Sequence, residues 1–435
     1  MHITQNFKKQ FVHNTEFKLV LVDASFKCYN VKEILTKERL LMKKFISVIL
    51  AFVLAFAMLL PSGAAVQNED NKLQFGSDGN FRIMQIADIQ DGPFLFEIVR
   101  DFLKSVIPAE KPDLIVLSGD NISAAASTIG VHGADLLLVE AAIDRFMSIF
   151  EDCGVPVAVV FGNHDAEELV TKEEQMAMYQ KYDNCVAIDE GEAVYGCGTY
   201  NLPIYSSKDS SKIAYNLWMT DSNMYDEENG GYDYVHQDQI DWYVNKSNEL
   251  KAQNGGAAVP SMMFQHIIVN EIYDALLEVS ASTEGAVEHN GKYYVFNPEN
   301  TAEGGVLHES PCPSTVNGGQ FDAIEKQGDV VAMFFGHDHV NNFVVEHKGI
   351  DLVNTPGVGF NSYGDEGRGV RIIDIKEGTT DYETDVITYK EFYGDDPIAD
   401  ARFVLYGSEF DVANRIAAFF EYILLCISDV LGLVK

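Results

Sequence analysis

The chain has 435 residues, enough for one large catalytic domain or two ordinary ones with a substantial core. It carries 31 Lys and Arg against 66 Asp and Glu, a formal net charge of -35 and a pI of about 4.5. A surface of that sign repels nucleic acid and anionic membranes; neither is expected as a main partner, and a solvated acidic exterior is the simplest reading.

Residues 1–41 show no clear periodicity and read as an extension ahead of the true translation start at Met42. Met42-Lys43-Lys44 leads into an unbroken apolar run, Phe45 to Leu60, closed by Pro61 and small residues. Those are the three parts of an export signal, placed over 42–65. The run is shorter than the roughly 20 residues a spanning helix needs, so a secreted protein is expected rather than an anchored one. A polar linker, 66–80, precedes a domain expected over 81–408. In that domain short apolar runs (Phe81 to Ala87, Leu114 to Leu117, Val155 to Phe161, Ser261 to Phe264, Val330 to Phe335) alternate with longer amphipathic segments. Runs too short for helices and apolar throughout are strands buried on both faces, which predicts an α/β fold.

Helical spacing predicts a helix between Gly133 and Gly154 and a second over His236–Gln253, and two strands are read in 211–220. Residues 271–320, punctuated by Gly and Pro, read as a lid or insertion. Alternation across 342–392 predicts closing antiparallel strands. The tail, 409–435, places Ile416, Phe419, Phe420, Ile423, Leu424, Ile427, Val430, Leu431 and Val434 on one stripe of an amphipathic helix. That helix is expected to dock on its own domain, with membrane or partner contact as the alternative. No cysteine pair has C-x-x-C spacing; Cys185 and Cys197 flank a Gly-containing loop and read either as a disulfide or as free thiols.

Each apolar run ends in groups that bind metals. Asp88 and Gln90 follow the first, Gly119-Asp120 the second, Gly162-Asn163-His164-Asp165 the third, His266 the fourth and Gly336-His337-Asp338-His339 the fifth. The carboxyl ends of strands in such sheets line the ligand crevice, so five runs deliver these residues to one rim. A lone Gly-Asp turn or a lone histidine says little; the ordered set says metal site. His132, His236, His289, His308 and His347 fall outside the pattern and read as loop or surface residues.

The ordered set resembles the calcineurin-like metallophosphoesterases, in a branch akin to the purple acid phosphatases, over Phe81 to Ile375. The resemblance implies a four-layer αββα sandwich around a binuclear centre of transition-metal ions (iron, manganese or zinc), cations that suit imidazole donors. The first would be held by Asp88, Gln90, Asp120 and His339, the second by Asp120, Asn163, His266 and His337, with Asp120 bridging. The implied reaction is hydrolysis of a phosphate ester, monoesters ahead of diesters, by a metal-bridging hydroxide. His164 would bind the phosphate or protonate the leaving oxygen, and Asp165 would orient the His164 ring. Two positions depart from the pattern. Ser123 stands where the purple enzymes have a tyrosine, so no purple colour is expected. Gln90 stands where histidine is usual, and its neutral amide is the weaker donor, which admits an altered first metal or a non-catalytic binding protein on the same scaffold. Asn361, Tyr363 and Arg371 are candidate substrate contacts.

Overall fold

In the computed structural model, which describes residues 71–93, 96–123, 129–167 and 169–431, all five apolar runs are strands. The export-signal segment lies outside the described residues. The strands are β1 (Asn80–Ile86), β2 (Leu114–Ser118), β3 (Val157–Val160), β4 (Tyr200–Tyr205), β5 (Ile213–Met219) and β6 (Ser261–Phe264). An insertion holds β7 (Leu277–Val279), β8 (Val287–His289), β9 (Lys292–Val295) and β10 (Val306–Leu307). The chain closes with β11 (Val330–Phe335), β12 (Asn341–His347), β13 (Ile350–Asn354), β14 (Gly369–Lys376) and β15 (Tyr382–Thr388). The first sheet has the order β15-β14-β1-β2-β3, the second β10-β12-β13-β11-β6-β5-β4, and β7-β9-β8 form a small third sheet. The ligand-bearing strands are parallel within each sheet: β1 with β2, β2 with β3, and β6 with β11.

Strand alternation shows how the layers stack, because successive side chains point to opposite faces. In β11, Ala332 and Phe334 enter the core shared with the first sheet, whereas Met333 and Phe335 enter a second core on the far side. β6 divides likewise, with Met262 and Phe264 inward and Met263 outward. Helices α1 (Glu97–Glu110) and α2 (His132–Cys153) bury Phe102, Leu103, Phe146 and Phe150 in the first core. Beyond α3 (Lys172–Tyr179), α4 (Gln237–Gln253) covers the other sheet with Tyr243 and Leu250. Short α5 (Ile272–Ala275) and α6 (Gln320–Gln327) join it there through Ile272 and Phe321. The result is the αββα sandwich, completed by α7 (Tyr389–Tyr393), α8 (Pro397–Tyr406) and α9 (Val412–Val430).

Two expectations, the strands in 211–220 and the docking face of the last helix, are corrected, one helix is added and one open alternative is decided. The segment 211–220 is one strand, β5, whose antiparallel partner β4 lies upstream. Helix α1 is absent from the sequence reading although Ile98, Val99, Phe102, Leu103, Val106 and Ile107 recur at helical spacing ahead of Pro108. Cys185 and Cys197 are free thiols. Helix α9 does not bury its wide apolar stripe: it lies against α8 by its narrower face, with Ala418 buried, Tyr422, Leu425 and Cys426 half-buried, and Arg415 Nε donating to Leu405 O. Val412, Ile416, Phe419, Phe420, Ile423, Leu424, Ile427 and Val430 are 38% to 85% exposed. No helix among the described residues is long and apolar enough to cross a membrane.

Between the sheets Phe264 and Phe334 stack at 5.1 Å, both fully buried. Phe334→Ala is expected to cost about 3–5 kcal/mol, read as a lower urea midpoint at unchanged slope. Deleting everything after Asp411 removes little buried surface and is expected to shift the thermal midpoint by no more than about 2 °C; a larger fall would show that α9 supports the domain.

Candidate metal centre

The strand ends turn so sharply that left-handed backbone is unavoidable. Eight non-glycine residues among those described have positive φ, and four are site residues: Asp88 (55°), Gln90 (44°), Asp120 (50°) and His337 (71°). Such conformations are costly and persist only where surroundings impose them. Here backbone bonds impose them: Asp88 N–H donates to Gly119 O, Gln90 N–H to Asp120 O and Gly336 N–H to His266 O. A Cβ at Gly162 would collide with the Asp120 carboxylate, so glycine at that position is a requirement of close approach.

Both sheets contribute. Asp88, Asp120 and Asn163 follow β1, β2 and β3, whereas His266 follows β6 and His337 and His339 follow β11. Ligand-type atoms of Asp120, His266 and His337 lie within 4.8 Å of one another, and so do those of Asp88, Asp120 and His339, which makes Asp120 common to both groups. His266 Nε2 is 3.1 Å from Asp120 Oδ2, and His339 Nε2 is 3.3 Å from Asp88 Oδ1. The other ring nitrogens are committed: His266 Nδ1 donates to Ser118 O and His339 Nδ1 to Tyr363 O, each at 3.0 Å. That fixes the tautomer in which Nε2 is a free donor to a metal.

The residues fit a pair of cations. Asp88 Oδ1, His266 Nε2 and both amide atoms of Asn163 are buried without a hydrogen-bond partner. Native proteins rarely leave such atoms unsatisfied, and metal coordination satisfies Asp88 Oδ1, His266 Nε2 and the amide oxygen of Asn163 at once, whereas the Asn163 Nδ2 group can only donate a hydrogen bond. The electrostatics agree. Burial pushes the Asp120 carboxyl up, but the charges of His266, His164 and His337 hold it well below the usual range. Burial opposes charge on His266, yet Asp120 and Asp88 carry its pKa up to about 9. His337 is pushed down to about 3 by burial and by the charge of His266. A cluster of this kind holds protons where cations belong.

Gln90 is present but turned. Its Nε2 donates to Asp120 Oδ2 at 2.9 Å and lies 3.3 Å from His339 Nε2. Coordination of a first metal requires the amide to present its oxygen instead. Asp165 does not orient His164: its carboxylate accepts from the backbone N–H groups of Gly162, Asn121 and Ile122 at 2.8 to 3.0 Å. Burial, with the charge of Asp120, pushes it up to about 7, and it acts as the pin between two site loops. The His164 ring pairs instead with Glu167, Nδ1 to Oε2 at 2.8 Å, and Tyr225 Oη donates to Glu167 Oε1 at 2.5 Å. His164 Nε2 then faces Asp120 Oδ2 at 3.9 Å. Glu167 was overlooked although its i,i+3 spacing on the turn His164–Ala166 announces the contact; Tyr225 and Tyr232 lie in a loop without periodicity and announce nothing.

The three candidate substrate contacts divide. Tyr363 stacks flat on His339 at 4.2 Å and is half exposed at the rim. Asn361 supports the loop by donating to Gln90 O. Arg371 is 2% exposed and donates to Thr355 Oγ1, Asn342 Oδ1 and Asn354 O, so it ties β14 to the second sheet and is not available to substrate.

A family model for calcineurin-like phosphoesterases matches residues 81–341. The chain is 30% identical over 346 residues to probable inactive purple acid phosphatase 14 of Arabidopsis thaliana, across 72% of this chain and 79% of the relative. To probable inactive purple acid phosphatase 29 of the same plant it is 29% identical over 345 residues, across 72% and 80%. Among solved structures it is similar to a dimetal phosphatase from Danio rerio, with 14% identity and a TM-score of 0.44 over 71% of this chain and 99% of that one.

Gly162→Ala is expected to weaken zinc or manganese binding by about tenfold or more, measured by metal titration, while the circular dichroism spectrum is retained. Glu167→Gln is expected to leave metal content unchanged and to slow any ester hydrolysis most for poor leaving groups, in a series of aryl phosphates of increasing phenol pKa.

Proposed function

Because the chain belongs to the calcineurin-like phosphoesterases, we propose that it is a metal-dependent phosphatase acting on phosphate monoesters outside the cytoplasm. The observation that carries this is the sharing of Asp120 between two donor groups. A pair of transition-metal ions, when bound there, supplies Lewis acidity that activates water and neutralises phosphoryl charge. The chain does the rest. His164 N–H fixes Asp120 Oδ1 at 2.8 Å, so the shared carboxylate cannot swing away. With Nδ1 turned to Glu167, the His164 ring aims Nε2 at the centre, where it can hold a proton for the departing oxygen. Diester cleavage on the same residues is the nearby alternative. Export rests on the leader over 42–65, and N-terminal sequencing of secreted protein tests it, with a mature start after residue 65 expected.

A non-catalytic reading is favoured by one contact, the Gln90 amide nitrogen on Asp120, and two relatives carry the qualifier "probable inactive" in their names. Turnover of p-nitrophenyl phosphate and its bis ester, measured beside elemental analysis, separates these readings. Monoester hydrolysis that falls about a thousandfold in Asp120→Asn is the expected result. Stoichiometric metal with no turnover of either ester would establish the binding protein. Gln90→His is expected to tighten the first metal, seen as slower loss to a chelator.

A further inference from the structure

The loops that build this site contain no lysine or arginine. Residues 87–93, 119–123, 161–171, 220–236, 265–271, 308–318, 336–341 and 355–367 hold none, yet they supply sixteen Asp and Glu counted along the sequence. The two cations that flank these loops are spent. Lys172 Nζ is 2.8 Å from buried Asp221, and Arg368, with its side chain 1% exposed, pairs with Glu409 at 2.9 Å. Two of the carboxylates stand beside site groups, Glu167 on His164 and Glu309 accepting from Tyr363 Oη at 2.9 Å, and Asp365 pairs with the exposed His308.

Aromatic faces complete the surroundings. Tyr232 stands perpendicular to the His337 ring at 4.5 Å, Tyr225 stacks on Tyr232 at 5.6 Å, and Tyr363 lies flat on His339. Tyr225 is 41% exposed and Tyr363 50%. Recognition of several phosphate or carboxylate groups ordinarily recruits arginine and lysine, whereas exposed tyrosine faces favour flat apolar groups and cations.

We propose that the site accepts esters bearing a single phosphate whose remaining part is flat and either neutral or cationic, and rejects esters with a second anionic group. This rests on the metal site read above. The phosphate is the one anion that bound cations and His164 compensate; a second meets an excess of carboxylates and no lysine or arginine of these loops. The rejection is electrostatic and therefore depends on salt.

The test uses the full-length, metal-loaded protein and ligands that cannot be hydrolysed. Phenylphosphonate, 4-carboxyphenylphosphonate and 4-(trimethylammonio)phenylphosphonate are titrated calorimetrically at low and raised ionic strength. The carboxylated ligand is expected to bind about tenfold more weakly than phenylphosphonate at low salt, with the gap closing as salt screens the rim, and the cationic ligand at least as tightly. Tyr363→Lys, which sets a cation at the rim, is expected to narrow the same gap. Equal or tighter binding of the carboxylated ligand, a gap indifferent to salt, an unchanged ratio in Tyr363→Lys, or no binding of any of the three overturns the proposal. Because phosphonates bind without turnover, a failure of ester hydrolysis would remove the phosphatase reading alone. Hydrolysis without charge discrimination would remove this one alone.

Discussion

Asp120 is the point on which the molecule converges. Its carboxylate is buried and receives the backbone N–H of His164 and the amide of Gln90, with the His266 imidazole 3.1 Å away, groups carried by three other loops and by both sheets. A carboxylate taken out of water is tolerable only when donors and positive charge surround it closely. Every neighbouring loop must therefore come in to van der Waals distance. The strained turns at Asp88, Gln90 and His337 and the bare backbone of Gly162 follow from that single demand.

The two sheets also meet below the site through a polar chain rather than apolar contact alone. Gln85 on β1 donates to Ser118 Oγ and to Phe335 O, accepts from Thr355 Oγ1, and Thr355 in turn accepts from Arg371. Such a network is satisfied in one relative placement of the sheets and in no other, whereas apolar faces tolerate sliding. It holds the strand ends in the register that the donor groups above require. Cations bound across the sheets would add to the same bond, since whatever binds only the folded arrangement stabilises it.

Much of this was legible because the chemistry and the fold share a period. A buried strand reads as a short unbroken apolar run, and its carboxyl end is where polar residues resume, so Asp88, Asp120, Asn163, His266, His337 and His339 could be found by reading to the end of each run. The misses have physical causes. Asp165 was paired with His164 because it is the next residue, but neighbours in a tight turn point apart, and the residue three further on shares its face. Arg371 stands among the candidate substrate contacts because sequence does not show which long side chains are consumed inside a sheet interface. Helix α9 carries two apolar stripes, and spacing alone cannot say that the narrow one, through Ala418, faces the domain.

The left-handed turn at Gln90 has a genetic side. Aside from glycine, asparagine, aspartate and histidine are the residues that enter this region most readily, so the backbone at position 90 is shaped for histidine even while glutamine occupies it. Glutamine and histidine codons differ only at the third base. The change between the two residues is a single transversion in either direction. A histidine introduced there would meet a backbone already in a conformation it enters readily, with no loop rebuilt around it.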